Sequence, residues 1–196
     1  MPDSREAAAE RAGARLAAAR AILARRRVPL GFVSAAFVLW LAQPTAATLM
    51  WGTAIAAIGE SLRIWAAGHL HKSREVTASG PYRWLAHPLY VGSSIMGAGL
   101  ATAGNSAIVA TIIAVYLAVT LTAAIKSEDA FLRGAFGDEY DRYRTGAVRG
   151  VNATTTRRFS LAQAMANHET RAVIGLAVAV LLLILKATYN GSFAGR

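Results

Sequence analysis

The chain has 196 residues and a formal net charge of +10, with 55% hydrophobic and only 16% charged residues. Soluble domains carry about a quarter charged residues, so this composition favours a lipid environment over water. The absence of cysteine excludes a disulfide framework and thiolate chemistry. The basic residues flank apolar runs and do not form one basic domain, which argues against nucleic acid as a partner.

The first 27 residues are rich in Ala and Arg, which are strong helix formers, and Asp3 and Glu6 have the spacing of a capping box. We expect a basic helix over 1–27, in the cytoplasm or on the membrane surface. The three consecutive arginines that end it suit anionic headgroups. A membrane domain over 28–196 is expected to follow.

Several apolar runs follow the basic segment. A membrane span needs about 20 apolar residues, and shorter runs recruit flanking residues or thin the bilayer. The sequence therefore predicts an all-α polytopic membrane protein with about five transmembrane helices, the third and fourth forming a hairpin. The runs cover 28–41, 46–68, 90–104, 107–125 and 172–185.

Charge asymmetry predicts the orientation of these spans. Basic residues concentrate before the first run, between the second and third, and between the fourth and fifth, whereas only Lys186 and Arg196 fall on the other side. The positive-inside rule then places the N-terminus and both long polar segments in the cytoplasm. The Ala- and Arg-rich composition is typical of a bacterial source, so we expect an integral protein of the bacterial inner membrane.

The first polar segment, 69–88, contains two corners. The tetrapeptide 80–83, Gly-Pro-Tyr-Arg, is a turn signal, and His87-Pro88 stands at the mouth of the third run. Each proline removes a backbone donor and biases the preceding residue away from helix. A helix that begins after Pro88 would aim its free N–H groups at this loop, an arrangement that attracts a carboxylate or phosphate. His69 and His71 are predicted to be solvated at the interface and to bind no metal.

The second polar segment, 126–170, leaves the membrane on the same side and begins with Lys126-Ser127-Glu128-Asp129. Apolar residues from 128 to 143 have helical spacing, which predicts an amphipathic helix with a break at Gly137. Residues 69–88 and 126–145 are together expected to form a cytoplasmic catalytic cap next to the membrane. The small residues Gly92, Ser93, Gly97 and Gly99 of the third run predict close helix packing.

The groups in this cap suit a sulfonium cofactor. S-adenosylmethionine carries a fixed positive charge on sulfur, which the rings of Tyr82 and Tyr90 attract. Its ribose hydroxyls need acceptors such as His87 or Glu128, and its amino-acid end needs a helix N-terminus or an Arg. Methyl transfer depends mainly on alignment, which contributes about 7–11 kcal/mol. An amine acceptor would also need a base, for which His87 or Glu128 would serve.

Two arginines are candidates for the catalytic contact with an acidic group of the substrate, Arg63 and Arg133. Arg63 lies in the last third of the second run, and an ionisable residue near the end of a span is a functional candidate. It can also pair with Glu60, three residues earlier on the same helix. The substrate is expected to be a lipid-like molecule that enters sideways from the bilayer.

The order of these motifs resembles the superfamily of isoprenylcysteine carboxyl methyltransferases and phospholipid methyltransferases. The resemblance covers about 62–144 and is carried by four motifs: Gly-Pro-Tyr-Arg at 80–83, His-Pro-Leu-Tyr at 87–90, Glu-Asp at 128–129, and Phe-Gly-Asp-Glu-Tyr-Asp-Arg-Tyr at 136–143. It implies a membrane methyltransferase that holds S-adenosylmethionine in a cytoplasmic pocket. The implied cofactor-binding residues are Gly80, Tyr82, His87, Pro88, Tyr90, Glu128 and Asp129.

Two positions depart from the family pattern. Ala86 stands where the family usually has an Arg, for which Arg83 is a nearby replacement, and Asp129 stands for the second Glu of the pair. Ala86 favours one alternative, a non-catalytic membrane scaffold that keeps the fold. A membrane reductase of the sterol type is the other alternative. The sequence is compatible with three methyl acceptors: a prenylated cysteine carboxylate, a phospholipid amine and an isoprenoid hydroxyl. It does not determine the oligomeric state.

Overall fold

The computed structural model describes residues 31–72, 74–146 and 157–193. This part of the chain is all-helical, with one 3₁₀ turn and no strand. The basic helix expected over 1–27 lies outside the described residues. The elements are α1 Gly31–Leu41, α2 Ala46–Ala67, the 3₁₀ turn Gly80–Arg83, α3 Pro88–Gly104, α4 Ala107–Phe136, α5 Asp138–Arg144, α6 Leu161–Ala166 and α7 Glu169–Tyr189.

Within the described residues, each predicted apolar run coincides with a helix, but the helices differ in their suitability as spans. Among the described helices, α4 and α7 are long and apolar enough to cross a membrane, and α1 is a shorter apolar helix. These helices support membrane association, while the number of five spans is not confirmed. Because α4 has 30 residues, it is about 45 Å long and exceeds the thickness of the hydrocarbon core. Its polar last turns therefore extend beyond an apolar layer.

Helices α2 and α3 pack with their backbones in contact. A Cβ atom on Gly59 would lie 2.6 Å from the carbonyl oxygen of Gly92, and one on Gly99 would lie 2.8 Å from the Cα atom of Ala56. Only glycine permits so close an approach at these positions, which is the small-residue packing of membrane helices. The prediction of close packing through Gly92 and Gly99 is confirmed.

The α3–α4 hairpin turns at Asn105, which has a φ of +48°. Its side-chain amide donates to the carbonyl oxygen of Gln43 at 3.0 Å, and the amide of Gln43 donates to the carbonyl oxygen of Gly104 at 2.9 Å. Ser192, after α7, donates to the carbonyl oxygen of Pro44 at 2.8 Å. The predicted hairpin is confirmed, and its tip shares one end of the bundle with the α1–α2 turn.

At the opposite end, the segment around α6 caps the last turn of α2. The amide of Asn167 donates to the carbonyl oxygens of Ala67 and Leu70, both at 2.8 Å, and Gln163 donates to Leu70 at 3.0 Å. The last carbonyls of a helix have no partner within it, so these amides satisfy groups that would otherwise be orphaned. The start of the loop from 69 to 79 is thereby fixed.

His69 is buried at 4% exposure, so the prediction of a solvated interfacial histidine is wrong for this residue. Its Nδ1 atom lies 2.9 Å from the carbonyl oxygen of Trp65, and the ring of Phe159 covers it at a centroid distance of 6.1 Å. Phe159 is distant along the chain, so local spacing gave no sign of this burial.

Candidate cofactor and acceptor site

The start of α3 and the polar end of α4 meet at His87. His87 is the N-cap of α3, with Pro88 at the first helical position, where a missing N–H group costs nothing. Its Nε2 atom lies 3.1 Å from Oδ1 of Asp129, and its Nδ1 atom lies 3.6 Å from Oε2 of Glu128. Tyr90, one turn into α3, also hydrogen-bonds to Glu128. Two segments about 40 residues apart along the chain therefore form one cluster.

Asp129 is the centre of a polar network. Besides His87, its Oδ1 atom accepts a hydrogen bond from the hydroxyl of Tyr140 on α5, and its Oδ2 atom lies 3.6 Å from Nη2 of Arg144. Burial, and next the hydrogen bond to Asp129, raise the pKa of Tyr140 above its ordinary value. The phenol thus stays a donor throughout the neutral range, and the network ties α5 to the end of α4.

The 3₁₀ turn is held in place by α5. The hydroxyl of Tyr143 donates to the carbonyl oxygens of Tyr82 at 2.9 Å and Leu85 at 3.3 Å. Gly80 begins the turn with a φ of +56°, and a Cβ atom there would lie 2.6 Å from Nδ1 of His69, so only glycine fits. Tyr82 is buried, and burial followed by the charge of Glu128 raises its pKa.

A cavity of about 460 Å³ opens beside this cluster, between the loop from 69 to 79, the start of α3 and the end of α4. This volume is within the usual range of small-molecule sites, about 300–1,000 Å³. Its charged lining residues are Lys72, Glu75 and Glu128. Its aromatic lining residues are Tyr82, Tyr90, Phe131, Tyr140 and Tyr143.

These residues fit S-adenosylmethionine by their chemistry. Aromatic rings attract an onium cation, and the carboxylate of Glu128 is an acceptor for hydroxyl groups. The 17-residue helix α3 begins beside the cavity, and its first N–H groups favour an anion. Of the predicted cofactor-binding residues, Tyr82, Tyr90 and Glu128 line the cavity directly.

A second, apolar groove of about 600 Å³ lies between α3 and α4. Val91, Leu117 and Leu121 are among its walls, and His87 stands at its polar end. The groove shares Ala86 and Tyr90 with the cavity, so the two spaces adjoin at these residues.

Arg63 does not line the cavity or the groove. Its Nε atom lies 3.4 Å from Oε2 of Glu60 and 2.8 Å from Oε1 of Glu169, and its Nη1 atom donates to Ser93. The predicted pair with Glu60 is confirmed. Both carboxylates are buried, so the guanidinium is held in an internal network. Contact with an acidic substrate group stays a prediction for this residue.

The other predicted site residues have different surroundings. Arg133 pairs with Asp141 at 3.1 Å, both side chains are more than half exposed, and it too lies outside the linings of cavity and groove. Pro88, the first residue of α3, is buried. Sequence reasoning missed Lys72 and Glu75, which carry no motif signal. Tyr140 was not among the predicted site residues either, although the motif at 136–143 that includes this tyrosine could have pointed to the site.

Comparison with known proteins agrees with the geometry. Residues 46–139 match the model of the phospholipid methyltransferase family. The chain is 34% identical over 106 residues to the nickel-cobalt-cadmium resistance protein NccN of Alcaligenes xylosoxydans xylosoxydans, covering 53% of this chain and 48% of that protein. It is 35% identical over 97 residues to the cobalt-zinc-cadmium resistance protein CzcN of Cupriavidus metallidurans, covering 47% and 44%.

The chain spans about half the length of these curated relatives, and no solved structure matches it. The matched region nevertheless includes the 3₁₀ turn, His87, Glu128 and Asp129, which together form the cluster beside the cavity. The part of the chain that builds this cluster is therefore similar to the phospholipid methyltransferase family, which belongs to the superfamily of isoprenylcysteine carboxyl methyltransferases.

Proposed function

We propose that this protein transfers a methyl group from S-adenosylmethionine to an amphiphilic acceptor held in the membrane. The observation that carries the proposal is the contact of His87 with Glu128 and Asp129 beside the cavity of about 460 Å³. It joins an imidazole, two carboxylates and several aromatic rings around a space of cofactor size. The family match supports the reaction class.

Methyl transfer needs little from the protein beyond correct positioning of the cofactor and the acceptor. When bound, S-adenosylmethionine supplies a methyl group on a positively charged sulfur; an acceptor lone pair forms the new bond while the carbon–sulfur bond breaks and sulfur keeps those electrons. Tyr90 and Glu128 hold the cofactor side of the site. Alignment and exclusion of water from the reacting atoms supply most of the acceleration.

His87 is the residue placed to handle a proton. Asp129 faces Nε2, and this hydrogen bond orients the imidazole with its proton on Nε2 and a lone pair on Nδ1. An amine or hydroxyl acceptor can then give its proton to Nδ1, and Glu128 and Asp129 stabilise the resulting imidazolium. A carboxylate acceptor needs no such base.

The groove between α3 and α4 is the proposed place for the acceptor. Its apolar walls suit a prenyl or acyl chain, and its polar end at His87 adjoins the cofactor cavity through Ala86 and Tyr90. The chain of the acceptor lies in the groove from the lipid side, and its carboxylate, amine or hydroxyl group reaches His87. The cavity faces the cytoplasm in this proposal, where the cofactor is made.

Calorimetric titration of S-adenosylmethionine into the detergent-solubilised protein tests the cofactor site. Glu128→Gln and His87→Ala are expected to weaken binding, because each removes a group from the cluster beside the cavity. Glu139→Gln is the matched control, since Glu139 is exposed on α5 and does not line the cavity. Wild-type protein that does not bind the cofactor would refute the proposal.

Incubation with methyl-labelled cofactor and fractionated membrane lipids tests the transfer. We expect label in one lipid class, and none with Glu128→Gln. A sterol-type reductase would instead consume reduced nicotinamide, which an absorbance measurement detects, and that result would replace the present proposal.

The two relatives favour a second candidate function, because both are named for resistance to cobalt and cadmium. We propose that the activity contributes to resistance of the cell to these metals. The test is growth in cobalt of cells that carry the wild-type chain, Glu128→Gln, or neither. If cells with Glu128→Gln stay resistant, a non-catalytic scaffold is favoured. If they lose resistance, the resistance depends on the site that contains Glu128.

A further inference from the structure

The charged residues of the cavity are unequally distributed. Among the described residues, two carboxylates line it, Glu75 and Glu128, but only one cation does, Lys72. The amino-acid end of S-adenosylmethionine has both an ammonium and a carboxylate. Either acid can receive the ammonium, whereas the carboxylate has one cationic side chain available in the lining.

The two acids already have strong partners. Arg157, which precedes α6, forms a two-pronged pair with Glu75, in which Nη2 lies 3.3 Å from Oε2. Glu128 hydrogen-bonds to Tyr90, and its Oε2 atom lies 3.6 Å from Nδ1 of His87. Lys72 interacts with Glu128 only through its charge and not through a hydrogen bond. Within the described part of the chain, the Lys72 ammonium makes no hydrogen bond and no ion pair, so its donors are available to a ligand on the wall of the cavity.

Ala86 also lines the cavity but, unlike Lys72, contributes no charge to its wall. It lines both the cavity and the groove, and its methyl group offers neither charge nor hydrogen bond. The nearby Arg83 is exposed, lies 5.8 Å from the ring centroid of Trp84 and is not part of the cavity lining. Neither Ala86 nor Arg83 therefore adds a positive charge to the cavity lining.

We infer that Lys72 binds the carboxylate of the cofactor's amino-acid end. This inference rests on the proposed function, because it assumes that S-adenosylmethionine occupies the cavity. Lys72 is exposed in the free protein, so its contact with the ligand is partly screened by water and belongs at the lower end of charge-assisted hydrogen bonds. Its loss should weaken affinity by about tenfold.

The experiment compares two ligands that differ in this carboxylate, S-adenosylmethionine and decarboxylated S-adenosylmethionine. Titration calorimetry is run on wild type, Lys72→Met and Lys72→Arg, with Lys126→Met as the control. Lys126 is an exposed lysine on α4 that does not line the cavity. We expect Lys72→Met to weaken binding of the intact cofactor by about tenfold, with no loss for the decarboxylated one. Lys72→Arg should restore most of the affinity.

The outcomes separate the inference from the proposed function. Equal weakening of both ligands by Lys72→Met, or no weakening of either, would overturn the role of Lys72 while leaving the cofactor site standing. Wild-type protein that binds neither ligand would overturn the proposed function and this inference with it. An effect of the same size in Lys126→Met would show general charge attraction and would also overturn the inference.

Discussion

Truncation of Asp129 to alanine is expected to be the most damaging single change in the cap. Its Oδ1 atom accepts from Nε2 of His87 at 3.1 Å and from the hydroxyl of Tyr140, and its Oδ2 atom lies 3.6 Å from Arg144. Tyr140 is only 1% exposed, so water cannot replace the lost acceptor without rearrangement. A buried donor left without a partner costs about 1–3 kcal/mol.

Two donors lose their acceptor, and partial access of water near His87 reduces the sum, so we expect Asp129→Ala to destabilise by about 2–4 kcal/mol. For a chain of this size each kcal/mol lowers the melting temperature by about 2–4 °C, which gives a fall of about 10 °C in detergent. Affinity for S-adenosylmethionine should fall in parallel, because His87 loses the group that orients it.

Asp141→Ala is the matched control for this prediction. Asp141 pairs with Arg133 at 3.1 Å, but both side chains are more than half exposed. Exposed pairs contribute about 0–1 kcal/mol, so the melting temperature should change by about 3 °C or less. If the two variants melt at the same temperature, the reasoning that Asp129 organises the cap is refuted.

Two further predictions concern packing and pH. Gly59→Ala should lower the melting temperature markedly, because the new Cβ atom would lie 2.6 Å from the carbonyl oxygen of Gly92. Gly175→Ala is the control and should leave the melting temperature unchanged, because its new Cβ atom meets nothing within 4 Å. Equal melting temperatures of the two variants would contradict the close packing of α2 and α3. The raised pKa of Tyr140 predicts that stability present below about pH 10 is lost as the pH rises further, because the folded state resists ionisation of the phenol. Tyr140→Phe should therefore lose less stability between neutral pH and about pH 11 than wild type, as followed by melting curves, and an unchanged alkaline slope would count against the buried hydrogen bond.

Local signals in the sequence determined where the helices begin and end. Pro88 starts α3 as predicted, Asn105 forms the tip of the hairpin, and Gly137 with a φ of +49° ends α4. A proline, a turn residue and a positive-φ glycine act on their immediate neighbours, so their effects can be read without the fold. The order of motifs likewise predicted that His87 and Glu128 would meet.

Only the tertiary structure decided which partners each charged group has. Arg63 is held by Glu169, more than 100 positions later in the chain, and Glu75 by Arg157, which no spacing rule connects. Lys72 carries no motif, and it is a cavity residue only because the loop after α2 folds beside the end of α4. Such contacts depend on how helices pack, and helix packing is set by the sum of many weak side-chain fits along α2, α3 and α7. The sequence therefore determined the helices and the identity of the reactive cluster, whereas the packing determined the walls, the charges and the neighbours of the cavity.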